Sequence, residues 1–257
     1  MKRIFILKSI LFIGLLMDSV AVLSQTQDSL LYENRIYDRH THTLKVRDVT
    51  LPVALIATSA LFVDNNYLKT QRENIQDALS AKGKKKFKAD DYMQYSPMVA
   101  VYGLDLMGIK GKHSFKDRTI ILAMSYAIQA TMTHSMKFAF KEKRPDSSAR
   151  NSFPSGHTAT AFMGAQFLYE EYKDTSPWIG YAGYAIATAT GYLRIYNDRH
   201  YVNDVVAGAC IGIISTKLAY WLYPKCFKQS ECNKNYMISG IPYCSEKEMG
   251  MSFSISF

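Results

Sequence analysis

Residues 154–165, Pro-Ser-Gly-His-Thr-Ala-Thr-Ala-Phe-Met-Gly-Ala, read as the opening of a helix. Serine is a favoured N-cap, and the run that follows is apolar and small. The first turn of a helix leaves backbone N–H groups unpaired at the positive end of the dipole, so it suits an anion. Gly156 lets the backbone come close to that anion, and His157 stands at the mouth of the turn, where it can give a proton to a departing group. Taken alone, the same residues read more readily as a plain serine cap followed by an exposed histidine.

Two further clusters flank this one. On the C-terminal side stand Arg194, His200 and Asp204. His200 and Asp204 are four apart, and side chains four apart meet on one face of a helix. A carboxylate there can hold one ring nitrogen and aim Nε2 at a substrate as nucleophile. An exposed surface pair is the simpler alternative. Arg194 lies in the apolar and aromatic stretch 191–196, where an unpaired guanidinium is costly to bury, so it calls for a protein carboxylate or a bound phosphate as partner. On the N-terminal side, Lys137 and Arg144 are seven apart, two helical turns on one face. Pro145 drives Arg144 out of the α region and predicts that the helix stops there. Cations in a last turn also complement the helix dipole, which is the structural alternative. The three clusters gather three permanent cations, two imidazoles and one carboxylate within 68 residues.

Together these spacings resemble the three-part signature of the type 2 phosphatidic acid phosphatase (PAP2) and vanadium haloperoxidase superfamily. That signature is Lys, six residues, Arg-Pro; then Pro-Ser-Gly-His; then Ser-Arg, five residues, His, three residues, Asp. Here six residues separate Lys137 from Arg144-Pro145, the tetrapeptide is Pro154 to His157, and Arg194 is followed at the required intervals by His200 and Asp204. One position departs: Leu193 stands where the family has Ser, which removes one hydroxyl donor. The eight residues between Pro145 and Pro154 leave little room for a lid. The resemblance implies that Lys137, Arg144 and Arg194 bind the phosphoryl oxygens with help from Ser155 and the Gly156 backbone. It implies too that His200 attacks phosphorus, Asp204 supports it, His157 protonates the leaving group, and water hydrolyses the phosphohistidine. Phosphoryl transfer asks the protein mainly for positioning and fixed positive charge, so the physical case agrees. No His-Glu-x-x-His, EF-hand or Cys-x-x-Cys pattern is present, and neither a metal nor a cofactor is expected. Residues 143–157 look most like the lipid-phosphatase branch of exported bacterial proteins, which implies envelope lipid phosphates as substrates: a lipid A phosphate, a polyprenyl diphosphate or phosphatidylglycerol phosphate. The rivals are a secreted acid phosphatase acting on soluble esters, a vanadium haloperoxidase holding vanadate in the same place, and a non-catalytic protein that kept the fold.

The N-terminus supports export. Lys2-Arg3, the apolar run 10–17 and Val22-Leu-Ser24 read as a signal peptide cleaved after Ser24, with an uncleaved anchor as the alternative. Loss of residues 1–24 lowers the formal net charge from +9 to +7. A basic periplasmic chain suits anionic partners, here a phosphorylated lipid and the membrane surface, and does not single out nucleic acid. Cys210, in an apolar run, reads as a buried free thiol, while Cys226, Cys232 and Cys244 leave open one disulfide of unassigned pairing.

The fold expected is all-α, a bundle of five or six core helices with the active site at helix ends and a short C-terminal hairpin. Apolar stretches occur at 51–63, 119–133, 179–192 and 205–222, mostly 13 to 15 residues long. A spanning helix needs about 20, so the pattern and the mean hydropathy of -0.12 predict a helical domain on or partly in a membrane. The predicted organisation is a signal peptide over 1–24, an amphipathic segment over 25–50, the phosphatase domain over 51–224 and a tail over 225–257. Residues 80–91, with five lysines, read as a solvated loop. Two short strands are predicted at 236–243 and 249–257, the second alternating Met251, Phe253, Ile255 and Phe257 with serines. One such hairpin cannot close a barrel.

Overall fold

Four helix ends meet where the three sequence clusters lie. The computed structural model describes residues 44–80 and 88–227 in full, and 237–244 and 249–256 as backbone. The helices are α1 (Val46–Asp64), α2 (Asn66–Leu79), α3 (Asp90–Met93), α4 (Ser96–Leu106), α5 (Phe115–Phe140), α6 (Gly156–Tyr172), α7 (Pro177–Tyr196) and α8 (Val202–Phe227). The expected all-α class is what the structure has. The predicted signal peptide, most of the segment 25–50 and the lysines at 82, 84, 85 and 86 lie outside the described residues.

Side-chain caps set several helix starts. Asn65 Oδ1 accepts from the amides of Tyr67 and Leu68, Ser114 Oγ accepts from Asp117 N, and Pro177 opens α7 with its fixed φ. The end of α5 differs from the expectation. Lys141 adopts a left-handed conformation, φ 47°, and its amide bonds back to the Lys137 carbonyl, so the helix stops at Phe140 rather than at Arg144. Lys137 and Arg144 therefore do not share a helix face. Arg144 sits in a folded loop held by Arg144 N to Ala149 O at 3.0 Å and Ser152 N to Glu142 O at 2.9 Å.

Helix α6 runs through the middle of the bundle and is buried on almost every side. Its small residues let neighbours approach, and the closest approach is by α8. A Cβ on Gly208 would lie 2.5 Å from Ser155 O, and one on Gly212 would lie 2.3 Å from Ala159 O. The two helices thus touch backbone to backbone through a Gly-x-x-x-Gly pair. Around this seam Ile56 and Val63 of α1, Met136 of α5, Ala159 of α6 and Ala207, Cys210, Ile211 and Ile214 of α8 form one apolar cluster with Phe153. Cys210 is a buried free thiol and Cys226 an exposed free one; Cys232 lies outside the described residues.

The helices run longer than the apolar stretches predicted, because polar residues are carried at their ends and at Lys217, which pairs with Asp48 of α1 at 2.8 Å. Consequently α1 and α8 are long and apolar enough to cross a membrane, each with a mean hydropathy of 1.6. On α1, Leu51, Leu55 and Leu61 face outward from the bundle.

The chain divides into two compact units, Met1–Trp221 and Leu222–Phe257. The second contains an antiparallel hairpin of β1 (Met237–Cys244) and β2 (Met249–Ser256), with Ile238 opposite Ile255 and Gly240 opposite Phe253. The strands sit within a residue of their predicted places.

Candidate active site

A cavity of about 510 Å³ opens between the end of α5, the loop 141–155 and the start of α6. Lys137, Lys141, Arg144, Arg150, Gly156, His157 and His200 all line it. Both imidazoles of the sequence clusters therefore face one space.

His200 is fully buried in the turn just before α8. It is thus outside the helix, and the expected pairing across one helix face is replaced by a turn-to-helix pairing with Asp204, in the first turn of α8. Its Nδ1 donates to the Ser152 carbonyl at 2.8 Å, and Asp204 Oδ2 lies 3.7 Å from the same nitrogen. Asp204 Oδ2 accepts from Tyr201 N at 3.0 Å and, in a short bond, from Ser152 Oγ. Ser152 thus joins the pair twice, carbonyl to imidazole and hydroxyl to carboxylate. With Nδ1 committed, Nε2 is the nitrogen free for chemistry. Burial pushes the His200 pKa down to about 4, so its ring is neutral and its Nε2 lone pair is available near pH 7.

Ser155 caps α6: its Oγ accepts from Thr158 N and shares a hydrogen bond with Thr158 Oγ1 at 2.9 Å. Its side chain is wholly buried in that role and does not line the cavity. Gly156 does. A methyl group there would meet only Lys137 Cε and Thr133 Cγ2 at ordinary contact distance, so the free amide end of α6 opens on the cavity and not on packed atoms. The Ser155 amide bonds to Asp204 O at 3.0 Å, which ties the start of α6 to the start of α8.

The cations are held apart from acids. Among the described residues, Lys137, Lys141, Arg144 and Arg150 form no ion pair. Lys137 Nζ donates to the Asn151 carbonyl at 2.6 Å. Burial and the neighbouring Arg144 push the Lys137 pKa down to about 8, and burial and Arg194 lower that of Arg144. Such mutual repulsion is relieved by an anion. The buried Nε atoms of Arg144 and Arg194 have no hydrogen-bond partner in the protein.

Arg194 has the carboxylate partner that its apolar surroundings required. Its Nη1 meets Asp90 Oδ2 at 2.6 Å and Asp91 Oδ1 at 3.5 Å, and Asn197 Nδ2 donates to Asp90 Oδ1 at 3.2 Å. Asp91 Oδ1 also lies 3.0 Å from His157 Nε2. These two acids close the stretch read as a solvated lysine loop, and that reading fails for Asp90, which is buried against Arg194. Sequence reasoning missed Asp90, Asp91 and Ser152. Adjacent acids at the head of a short helix were the only local signal, because their partners lie 48 to 107 residues away.

Comparison with known proteins bears on this segment. Residues 118–228 match the family model described as PAP2 superfamily. The chain is 39% identical over 142 residues to a lipid A 1-phosphatase of Porphyromonas gingivalis, covering 55% of this chain and 32% of that protein. It is 37% identical over 75 residues to the bacitracin transport permease protein BcrC of Bacillus licheniformis, covering 29% of this chain and 35% of that one. The chain thus spans about a third of the length of these curated relatives. Among solved structures, a transmembrane PAP2-type phosphatidylglycerolphosphate phosphatase from Bacillus subtilis superposes with a TM-score of 0.48 at 21% identity, over 72% of this chain and 98% of that one. All three clusters, from Lys137 to Asp204, fall inside the segment that matches the PAP2 superfamily model.

Proposed function

We propose that this chain is a metal-independent phosphatase that cleaves phosphate esters of envelope lipids through a phosphohistidine on His200. One observation carries the reading: the imidazoles of His134, His157 and His200 line a single cavity with four cations that, among the described residues, have no carboxylate partner. Lys137, Arg144, Arg194 through its unpartnered Nε, and the Gly156 amide grip the phosphoryl oxygens. Ser155 contributes by capping the helix that presents that amide. His200 Nε2 attacks phosphorus while Ser152 and Asp204 hold its Nδ1 proton and stabilise the cation formed. As the bond from phosphorus to the leaving oxygen breaks, His157 gives that oxygen a proton. In the second half, His157 takes a proton from water, the water oxygen bonds phosphorus, and the phosphorus–nitrogen bond breaks to release inorganic phosphate.

Support for a lipid substrate comes from the similarity to a lipid A 1-phosphatase and from two helices able to cross a membrane. The N-terminal pattern 1–24 supports a site on the exported, periplasmic side. Lys141 and Arg150 extend the cationic wall beyond one phosphoryl group, which favours a headgroup with a second negative charge. The test is a panel of detergent-dispersed lipid phosphates against soluble nucleotides, run on purified full-length protein with and without vanadate. The expected result is preferential release of phosphate from the lipids, inhibited by vanadate. Efficient nucleotide hydrolysis with lipids ignored would select the soluble acid phosphatase reading, and vanadate-dependent halide oxidation the haloperoxidase one.

A further inference from the structure

We infer that Asp91 is the positioning residue of His157: its carboxylate takes Nε2 and leaves Nδ1 to deliver the proton inside the cavity. The inference rests on the reading of His157 as the acid of the reaction.

The contact is direct, Asp91 Oδ1 to His157 Nε2 at 3.0 Å, and the same oxygen lies 3.5 Å from Arg194 Nη1. One carboxylate therefore touches both the acid and a phosphate-binding guanidinium. Asp91 is not a loose surface acid, although its side chain is half exposed. It stands on α3, and that turn is anchored next door by buried Asp90, which is held by Arg194 and Asn197. Asp91's own carbonyl accepts from Gln94 Nε2 at 2.8 Å. The turn thus presents Asp91 in one place relative to α6 and α7.

A carboxylate on one nitrogen of an imidazole aims the ring, fixes which nitrogen faces the substrate and favours the protonated form. His157 needs that support. Burial and the Arg194 charge both push its proton off, while Asp91 and Asp90 work against them. During cleavage the phosphorus–oxygen bond breaks, its electron pair takes the proton from His157 Nδ1, and the ring becomes neutral with Nε2–H still held by an ionised Asp91. No other reactant is required.

A residue that serves the acid matters only when the leaving group needs a proton. The experiment compares Asp91→Asn, Asp91→Glu and His157→Ala on two detergent-dispersed esters, dodecyl phosphate, whose alkoxide leaves poorly, and 4-nitrophenyl phosphate, whose phenoxide leaves well. The expected result for Asp91→Asn is a fall in kcat of about tenfold or more on the alkyl ester, a part of the roughly hundredfold or more that the acid itself contributes, and less than about threefold on the aryl ester. Asp91→Glu should recover most of the loss. Equal losses on both esters, or none on either, would overturn the inference. His157→Ala separates the two layers: if it shows the alkyl-selective loss and Asp91→Asn does not, the role of Asp91 alone fails, whereas no selectivity in His157→Ala removes the acid assignment itself. Should the Asn variant not fold, nitrogen-15 spectra of the parent decide. A neutral His157 protonated at Nε2 supports the inference, and one protonated at Nδ1 overturns it.

Discussion

Helix α6 buries charge at both of its ends, and the two ends treat it in opposite ways. At the C-terminal end, the Glu171 carboxylate accepts from His113 Nδ1 at 2.7 Å, His113 N at 3.0 Å and Tyr220 Oη at 2.6 Å, while Glu170 pairs with Lys173 at 2.6 Å. At the N-terminal end, Lys137, Lys141, Arg144 and Arg150 crowd around an open cavity and, among the described residues, no carboxylate pairs with them. A buried charge with matched partners holds helices in register. A set of like charges left unmatched stores repulsion that only a ligand relieves, and that difference separates a structural cluster from a site.

The largest effect should fall on one side of this comparison only. His200→Ala should lower kcat at least about a hundredfold on any ester, because nucleophile and not leaving group is lost, with the protein still folded by circular dichroism. Retained hydrolysis would mean that the crowded end is not where bonds break.

Next is the pH dependence of kcat/KM. His200 must be neutral, and burial holds its pKa at about 4, so activity on an alkyl ester should rise through that pH. His157 must be protonated, and its pKa is lowered from the ordinary value, so activity should fall before about pH 6.5. Each limb should run about tenfold per pH unit. On 4-nitrophenyl phosphate, which needs no acid, the fall should move up to about 8, where Lys137 loses its charge. The sign for stability follows from the same shift: unfolded chains bind the His200 proton below about 6.5 and the folded one only near 4, so stability is full above 6.5 and declines as pH drops. A single basic limb shared by both esters would detach His157 from the leaving group.

The smallest effect on activity should come from the far end. Glu171→Ala removes three hydrogen bonds from a buried carboxylate and should cost on the order of 3 kcal/mol of stability, at about 1 kcal/mol net for each, read by chemical denaturation. Its kcat/KM per folded molecule should stay within about twofold of the parent. A large loss of turnover there would show that the two ends are coupled.

How much of this was legible in the sequence depends on distance along the chain. The helix start at Ser155 could be read from local capping chemistry, whereas the facing of His157 and His200, far apart in the chain, was implied only by the resemblance to a known family. The left-handed Lys141 could not, because lysine carries no signal for that conformation and Pro145 offered a stronger reason to stop later. Nor could the anchoring of Arg194 by Asp90, 104 residues away, or the double role of Ser152, whose useful groups are a carbonyl that every residue has and a hydroxyl aimed by the loop. The apolar stretches fell short of the helices because helices carry polar residues at their ends, and the lysine within the longest stretch, Lys217, is neutralised by Asp48 from α1.

Helix α8 begins two residues after His200 and runs for 26 residues. At 1.5 Å per residue it measures about 39 Å, against roughly 30 Å for the oily slab of a bilayer. On the proposed reading, with α8 set across that slab, the helix acts as a depth gauge that holds His200 level with the lipid headgroups, and a phosphorylated lipid is dephosphorylated in place with its acyl tails among their neighbours.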